Sequence, residues 1–171
     1  MPDPLAPPAA ARLLFDFRLP GFAPWAPVDD RVMGGRSRSS LVPSGAGSAL
    51  FSGAVVLEGG GFASVRSAPA ALSSPGALDL LLCARGDGRR YKLSLRCDDT
   101  FDGPVWQAPF APPVAAFGLV RLPFASFVPT FRGRPLGPAG GLDPALLVTC
   151  GLVVADGRGG PFRLELAWIA A

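Results

Sequence analysis

The residue types that most often do chemistry are thinly represented in this sequence. It contains no histidine and three cysteines, Cys83, Cys97 and Cys150, which lack the paired spacing of a zinc site or a redox dithiol. Without histidine, neither a Ser-His-Asp nor a Cys-His-Asn arrangement can form. We therefore predict reduced, mostly buried cysteines, no bound metal and no cofactor.

Carboxylates leave one enzymatic possibility open, because a glycosidase needs only two acids that flank a cleft. The candidates are Asp29, Asp30, Asp87, Asp98, Asp99, Asp102 and Glu165. The Asp98–Gly103 segment also fits a polar turn or a modest calcium site, although it lacks the spacing of an EF-hand. Sequence does not place two acids across a cleft. We therefore assign no catalytic residue, predict a protein that is not an enzyme, and keep a two-carboxylate hydrolase as the third possibility.

Two acids and two glycines lie close together in the segment Asp29–Ser37. The glycines permit positive φ angles in a tight turn, and the acids can accept hydrogen bonds from loop amides or pair with nearby arginines. We favour a structural loop that satisfies its own polar groups. The alternative is a surface that recognises a partner protein and includes Trp25, Asp29, Asp30 and Arg36.

A set of arginines and aromatic residues is distributed over neighbouring predicted strands and one loop. Its members are Arg66, Arg89, Tyr91, Arg96, Trp106 and Arg132. If they share one concave sheet face, the arginines would bind carboxylates bidentately and Trp106 would offer a flat surface to a sugar ring or an apolar side chain. The alternative places the aromatic residues in the core, which we favour for Tyr91 and Trp168, and leaves the arginines in solvent.

Glycine-rich segments do not predict a nucleotide site. Residues 86–88 have the Asp-Gly composition of a hairpin turn, and residues 59–61 also lie between predicted strands. A phosphate loop or a dinucleotide fingerprint requires a helix after the glycines, and neither segment is followed by one.

Length and composition predict one domain over residues 13–171, preceded by a flexible leader at 1–12. A chain of 171 residues with 49% hydrophobic and 17% charged residues can bury one substantial core. Its net charge of +3 comes from scattered arginines, so nucleic acid is not implied as a partner. No apolar stretch approaches the roughly 20 residues of a membrane span, and the leader resembles neither a signal peptide nor a clear transit peptide.

The dominant periodicity is that of β-strands, with short alternating runs between glycines and prolines. We predict strands at Leu13–Phe17, Ser37–Val42, Ala49–Leu57, Phe62–Arg66, Ala77–Ala84, Arg89–Arg96, Trp106–Phe110, Gly118–Leu122, Leu147–Val154 and Phe162–Ile169. The alternation predicts that Tyr91, Leu93 and Leu95 face inward. So many short strands favour two packed sheets over one open sheet. We assign Arg132–Pro144 to a surface connection, and a helical turn to Pro144–Val148.

Several blocks of sequence resemble, in order, those of the complex I intermediate-associated protein family. They are WAPVDDRVMGGRSRS, FSGAVVLEGGGFASVRS, GDGRRYKLSLR, VRLPFASFVPTFRGRPL and the closing GPFRLELAWI. The resemblance extends from about Leu13 to Ile169. It departs from the family pattern at Trp106, where tyrosine is usual, and at Phe117, where tryptophan is usual, and both changes keep an aromatic side chain.

This resemblance implies an all-β fold, a galactose-binding-domain-like β-sandwich or jelly roll with two packed, mainly antiparallel sheets. It also implies a non-catalytic, chaperone-like assembly factor that binds protein subunits or intermediates of a respiratory, complex I-like, or photosynthetic membrane complex. The expected location is the bacterial cytoplasm or an organelle matrix or stroma, in soluble form. A carbohydrate-binding module that takes a glycan is the alternative, supported by analogy of fold alone.

Overall fold

The computed structural model describes residues 5–100, 102–137 and 140–171, which form two packed antiparallel β-sheets. Helical structure in these residues is limited to three 3₁₀ turns at Asp30–Met33, Phe124–Ser126 and Pro144–Leu146. None of the helices described reaches the length and apolar character that crossing a membrane requires. The predicted all-β sandwich is confirmed.

Thirteen strands, numbered in chain order, make up the two sheets. They are β1 Leu13–Asp16, β2 Trp25–Pro27, β3 Arg38–Ser44, β4 Ser48–Val55, β5 Ala63–Ser67, β6 Asp79–Arg85, β7 Tyr91–Arg96, β8 Val105–Phe110, β9 Gly118–Pro123, β10 Val128–Phe131, β11 Arg134–Pro135, β12 Thr149–Val154 and β13 Gly160–Ala170. The six-stranded sheet has the order β3-β4-β13-β6-β9, with β1 also paired to β13. The seven-stranded sheet has the order β11-β10-β8-β7-β12-β5-β2.

The core lies between the sheets and follows from alternation along the strands. In β7, Tyr91, Leu93 and Leu95 are almost fully buried, as predicted, and their neighbours in sequence lie on the outer face. In β12, Cys150 and Leu152 join the same core. A fully buried leucine contributes roughly 2 kcal/mol to folding, so this alternating pattern fixes which face of each strand meets the other sheet.

Three short strands, β2, β10 and β11, are absent from the strands that the sequence predicts. The predicted surface connection Arg132–Pro144 contains β11, which pairs with β10 through a turn at Arg132 and Gly133, both at positive φ; positions 138–139 of that connection lie outside the described residues. Each missed strand has two to four residues and contains proline, a composition that hides strand character.

The predicted helical turn at Pro144–Val148 is present in shortened form as the 3₁₀ turn Pro144–Leu146. The Asp143 side chain caps it, accepting a hydrogen bond of 2.9 Å from the Ala145 amide. Aspartate followed by proline is a favourable start for such a turn, because the capping carboxylate satisfies an amide that the turn leaves open.

The segment before β1 contacts the outer face of the six-stranded sheet. The Trp168 indole donates a hydrogen bond to the Leu5 carbonyl, and Arg12 pairs through its backbone with Ala171 at the end of β13. The Arg12 guanidinium also donates to the carbonyls of Ala71 and Ser73, at 2.7 Å each. The flexibility expected for residues 1–12 stays a prediction; positions 1–4 lie outside the described residues, and Leu5, Ala11 and Arg12 contact the sandwich.

Candidate functional site

A groove of about 850 Å³ runs over the outer face of the seven-stranded sheet. Its floor is formed by the outward side chains of the central strands: Ser64, Arg66, Lys92, Ser94, Arg96 and Gln107. These positions alternate along β5, β7 and β8 with residues that face the core. We call this concavity the basic groove, because its floor carries three cationic side chains and no acidic one among the residues described.

Strand β12 lies between β5 and β7, the two strands that carry the floor arginines Arg66 and Arg96. In the sheet, Gly151 of β12 lies opposite Arg66 of β5 on one side and Ser94 of β7 on the other. A Cβ atom at position 151 would lie 2.5 Å from Ser94 Oγ and 2.9 Å from the Val65 carbonyl oxygen. Glycine is therefore required there, and it keeps the floor low between Arg66 and Ser94.

Arg96 is buried in the floor with only part of its hydrogen-bonding capacity used. Its side chain is 5% exposed, and its Nη1 donates to the Thr100 carbonyl at 3.2 Å. Its Nε lies buried with no hydrogen-bond partner in the part of the chain described. Burial lowers the pKa of Arg96 and the nearby charge of Arg66 lowers it further, whereas the charges of Asp98 and Asp102 partly oppose this shift. The guanidinium nevertheless stays protonated at neutral pH.

The rim of the groove carries an exposed ion pair. Arg132, in the turn between β10 and β11, binds Asp102 with a nitrogen to oxygen distance of 2.9 Å. Both side chains are largely in solvent, so the pair contributes at most about 1 kcal/mol. Asp102 is the acid among the described lining residues, and its charge is already shared with Arg132.

Apolar side chains form one end of the groove. Val32 and Met33 belong to the 3₁₀ turn Asp30–Met33, and Leu57 follows β4. They are 70%, 63% and 52% exposed, respectively. We call these three residues the apolar lip. Clustered exposed hydrophobic side chains beside a cleft are typical of a binding surface.

The Asp30 carboxylate holds the turn that carries the lip against the glycine-rich loop after β4. It is fully buried and accepts hydrogen bonds from the Ser37 amide at 3.0 Å, the Ser37 hydroxyl at 2.7 Å, the Gly61 amide at 2.8 Å and the Phe62 amide at 3.3 Å. Burial raises the pKa of Asp30, but these donors together lower it below its usual value. A Cβ at Gly60 would lie 2.4 Å from Asp30 Cβ, so the contact requires glycine.

Asp29 makes a similar set of contacts one residue earlier. Its carboxylate accepts from the Ser39 amide at 3.1 Å, the Ser39 hydroxyl at 2.6 Å and the Ser64 amide at 2.9 Å. Asp29 thereby connects the first loop to β3 and β5. The hydrogen bonds of both acids are those that a structural, self-satisfied loop requires.

Arg89 shows how this fold satisfies a buried arginine. It is 4% exposed and forms a bidentate pair with Asp156, at 3.1 Å from Nε and 2.6 Å from Nη2. Its remaining donors reach the carbonyls of Arg158, Gly160 and Pro161. This network lies outside the basic groove.

The structure brings only some of the sequence-predicted binding residues together. Arg66 and Arg132 line the basic groove. Trp25 is 5% exposed and packs against Phe15 and Phe17, and Trp106 packs against the core on the opposite face of β8 from the groove.

The other predicted residues belong to ion pairs or to loop hydrogen bonds. Arg36 forms an exposed ion pair with Glu58 at 2.9 Å, and Arg89 is buried against Asp156. Asp29 and Asp30 are buried in the loop contacts described above. None of these four side chains lines the groove in the part of the chain described.

Sequence reasoning missed Lys92, Gln107 and the apolar lip as groove residues. The signal for Lys92, the only lysine of the sequence, was present, since strand alternation already sets Lys92, Ser94 and Arg96 on the outer face of β7. No local pattern pointed to Val32 and Met33. Their role depends on where the loop is held by Asp30.

The remaining reactive groups form no catalytic arrangement among the described residues. No disulfide joins the three cysteines, and burial raises the pKa of the Cys150 thiol. No cluster of three cysteine or carboxylate side chains suited to a metal ion occurs among them. Asp98, whose segment had suggested a calcium site, accepts hydrogen bonds from the Thr100 amide and hydroxyl, as in a polar turn; residue 101 of that segment lies outside the described residues.

Comparison with solved structures identifies the fold. The family 11 carbohydrate-binding module from Clostridium thermocellum, in complex with a beta-1,3-1,4-mixed-linked tetrasaccharide, superposes with a TM-score of 0.68. The match covers 94% of each chain at 17% identity. At that identity the likeness shows a shared jelly-roll architecture and carries no ligand with it.

Comparison of sequences identifies the family. A protein named complex I intermediate-associated protein 30, mitochondrial, from Drosophila melanogaster is 26% identical over 95% of this chain and 63% of its own length. A probable complex I intermediate-associated protein 30 from Caenorhabditis elegans is 31% identical over 79% of this chain and 46% of its own length. The chain thus spans about half to two thirds of these relatives. The sequence profile of complex I intermediate-associated protein 30 matches residues 15–166, and the chain belongs to that family.

Proposed function

We propose that this chain is a non-catalytic assembly factor that binds protein subunits or intermediates of a complex I-like respiratory complex or of a photosynthetic membrane complex. The family match over residues 15–166 carries this proposal. Both relatives are named for association with complex I intermediates. Because those relatives are longer than this chain, the proposal concerns the β-sandwich domain.

The basic groove is the surface that we assign to partner binding. It combines cationic side chains on its floor with three exposed apolar residues at one end. Arginine and methionine are both enriched at protein interfaces relative to the rest of the protein surface. The outer face of the six-stranded sheet is partly covered by residues 5–12, whereas the basic groove is open.

The composition of the groove supports binding rather than catalysis. A hydrolase that uses two acids needs carboxylates roughly 5–10 Å apart across a cleft. Asp102 is the acid among the described lining residues, and it is held by Arg132. No second carboxylate faces it from the described part of the groove.

A carbohydrate ligand is supported less well. Sugar rings stack on exposed aromatic faces, and Trp106, the residue suited to that role, packs against the core. Phe62 is the aromatic residue among the described lining. The likeness to a carbohydrate-binding module is one of fold, so glycan binding remains an outcome for the experiment to exclude.

The proposed place of action is an organelle matrix or stroma, or the bacterial cytoplasm. The two relatives are named as mitochondrial.

Affinity capture from the native cells tests the proposal. The tagged chain would be recovered with and without gentle membrane solubilisation, and the co-purifying chains identified. We expect stoichiometric recovery of respiratory or photosynthetic subunits after solubilisation. A clean monomer that binds a glycan array would contradict the proposal.

A matched pair of variants tests whether the captured partner binds in the basic groove. Lys92→Glu reverses a charge on the floor, and Arg38→Glu makes the same type of change on the exposed outer face of β3 in the other sheet. Lys92→Glu should abolish capture and Arg38→Glu should preserve it, with both variants keeping the thermal transition of the wild type. Equal capture by both variants would remove the groove from the proposal.

A further inference from the structure

The floor of the basic groove concentrates positive charge around a hollow. Arg66 and Ser94 lie on either side of Gly151, and Lys92 and Arg96 flank Ser94 along the outer face of β7. Because position 151 has no side chain, no side chain of β12 stands between Arg66 and Ser94. Two arginines beside one hollow present several N–H donors to whatever occupies it.

Arg96 in the floor is incompletely hydrogen-bonded among the described residues. It is as buried as Arg89, yet it donates there to one carbonyl, that of Thr100, whereas Arg89 pairs with Asp156 and reaches three carbonyls. Burial lowers the pKa of Arg66 as well as that of Arg96. An anion bound in the groove would supply a counter-charge to these cations. The group that suits a guanidinium fork is a planar oxyanion.

The apolar lip lies in the same groove as these cations. Val32, Met33 and Leu57 expose about half or more of their surface to solvent. A ligand that contacts both the cationic floor and the apolar lip must therefore carry an anionic group and adjacent apolar side chains. Three lip residues can cover one or two side chains, an area that is small for the acyl chains of a lipid.

We propose that the basic groove binds an acidic and apolar segment of a partner polypeptide, with a carboxylate held by Arg66 and Arg96 and an apolar side chain on the lip. The inference rests on the proposed function, since it names the chemistry of the partner segment. Lys92 accommodates a second acid next to the first. Planar, bidentate recognition of a carboxylate is the interaction that arginine provides and lysine does not.

A titration followed on the arginine side chains tests this directly. The full chain, labelled with ¹⁵N in arginine, would be mixed with a blocked pentapeptide that has one glutamate flanked by leucines, or with its glutamine analogue. We expect a saturable shift of the Arg96 Nε–Hε resonance with the glutamate peptide. Binding of the glutamine analogue should be at least tenfold weaker, because it lacks the charge that the floor requires.

Variants separate recognition from folding. Arg66→Gln should weaken glutamate-peptide binding at least tenfold, and Arg66→Lys should restore only part of that loss, because it returns the charge without the fork. Arg38→Gln, on the opposite sheet, should leave binding unchanged. Arg66 is only partly buried, so its variants keep a folded chain in which the Arg96 resonance can still be observed.

Other results would overturn the proposal. Equal binding of the two peptides would show that the carboxylate is not recognised. A response to inorganic phosphate or to phosphatidylglycerol vesicles, without one to the glutamate peptide, would assign the groove to a phosphate or an anionic lipid surface. If the glutamate peptide does not bind while the wild-type chain still captures subunits, the assembly function stands and the preference for an acidic segment is wrong. If the peptide binds but no subunits are captured, the acidic specificity stands and the assembly function is wrong.

Discussion

Two buried arginines in this protein have almost the same exposure and opposite surroundings. Arg89, at 4%, binds Asp156 through two nitrogens and reaches three backbone carbonyls. Arg96, at 5%, makes one hydrogen bond to the Thr100 carbonyl and leaves Nε without an acceptor in the described chain. The two arginine side chains are therefore equally buried, and they differ in their hydrogen-bond and ion-pair partners.

The difference separates structure from function. A buried charge that is fully paired is retained for the fold, since removing either partner leaves an uncompensated charge. A buried charge that is left incomplete stores a cost that a ligand can relieve. The acids of the first loop, Asp29 and Asp30, are held by hydrogen bonds within the fold, as Arg89 is, whereas Arg96 keeps an unsatisfied Nε among the described residues.

The largest expected effect is on the hydrogen-bond network of Arg89 and Asp156. Asp156→Asn leaves the Arg89 guanidinium buried without its counter-charge, so the free energy of unfolding should fall by about 3 kcal/mol. Urea denaturation monitored by tryptophan fluorescence would measure it. Asp102→Asn, which breaks the exposed pair with Arg132, is the matched control and should cost less than about 1 kcal/mol. Equal losses in the free energy of unfolding would show that the buried pair contributes no more to stability than the exposed pair.

The next effect concerns the loop held by Asp30. Asp30→Ala leaves the Ser37, Gly61 and Phe62 amides without their acceptor, and it should lower the free energy of unfolding by about 2 kcal/mol. Capture of partner chains should weaken through the displaced lip. Unchanged stability with lost capture would instead make Asp30 a residue that contacts the partner.

Low pH should selectively reduce the stability that the Arg89–Asp156 pair contributes. Hydrogen bonds from Arg89 lower the pKa of Asp156 below its ordinary value of 3.8. The unfolded chain therefore binds the proton first, so this stabilisation is complete above about pH 5 and is lost as the pH falls through 3.8 toward the folded pKa. Stability curves between pH 6 and pH 3 should be flatter for Asp156→Asn than for the wild type. Parallel curves would show that Asp156 is not stabilised as an anion.

The smallest stability effect should occur in the groove. Arg96→Met removes a buried cation that forms no ion pair with a carboxylate among the described residues, so the lost desolvation cost offsets the lost packing and the free energy of unfolding should change by less than about 1 kcal/mol. Arg89→Met should lower it by about 3 kcal/mol under the same conditions. A loss at position 96 as large as that at position 89 would mean that Arg96 is structural.

Sequence alone predicts the fold better than the site. The alternation in β7 sets Tyr91, Leu93 and Leu95 inward and Arg96 outward, and the structure confirms this. The adjacency of Arg66 to Arg96 depends on β12, which enters between β5 and β7 from a distant part of the chain. No local pattern encodes that insertion.

Aromatic residues mislead sequence reasoning about this site for a related reason. Trp25 lies in a loop motif that looks functional, but Phe15 and Phe17 enclose it. Trp106 is on the inner face of β8 because Leu95, its partner across the strands, faces the core. Only the register of neighbouring strands decides which side of a sheet carries such a residue.

Competition between a captured partner and the glutamate pentapeptide would test most directly whether the basic groove is the binding face. Subunits held by the immobilised wild-type chain would be challenged with the glutamate peptide and, in parallel, with its glutamine analogue. Release by the glutamate peptide alone is the predicted result. Retention of the subunits in the presence of a peptide that saturates the Arg96 resonance would contradict it, because the partner would then be bound elsewhere.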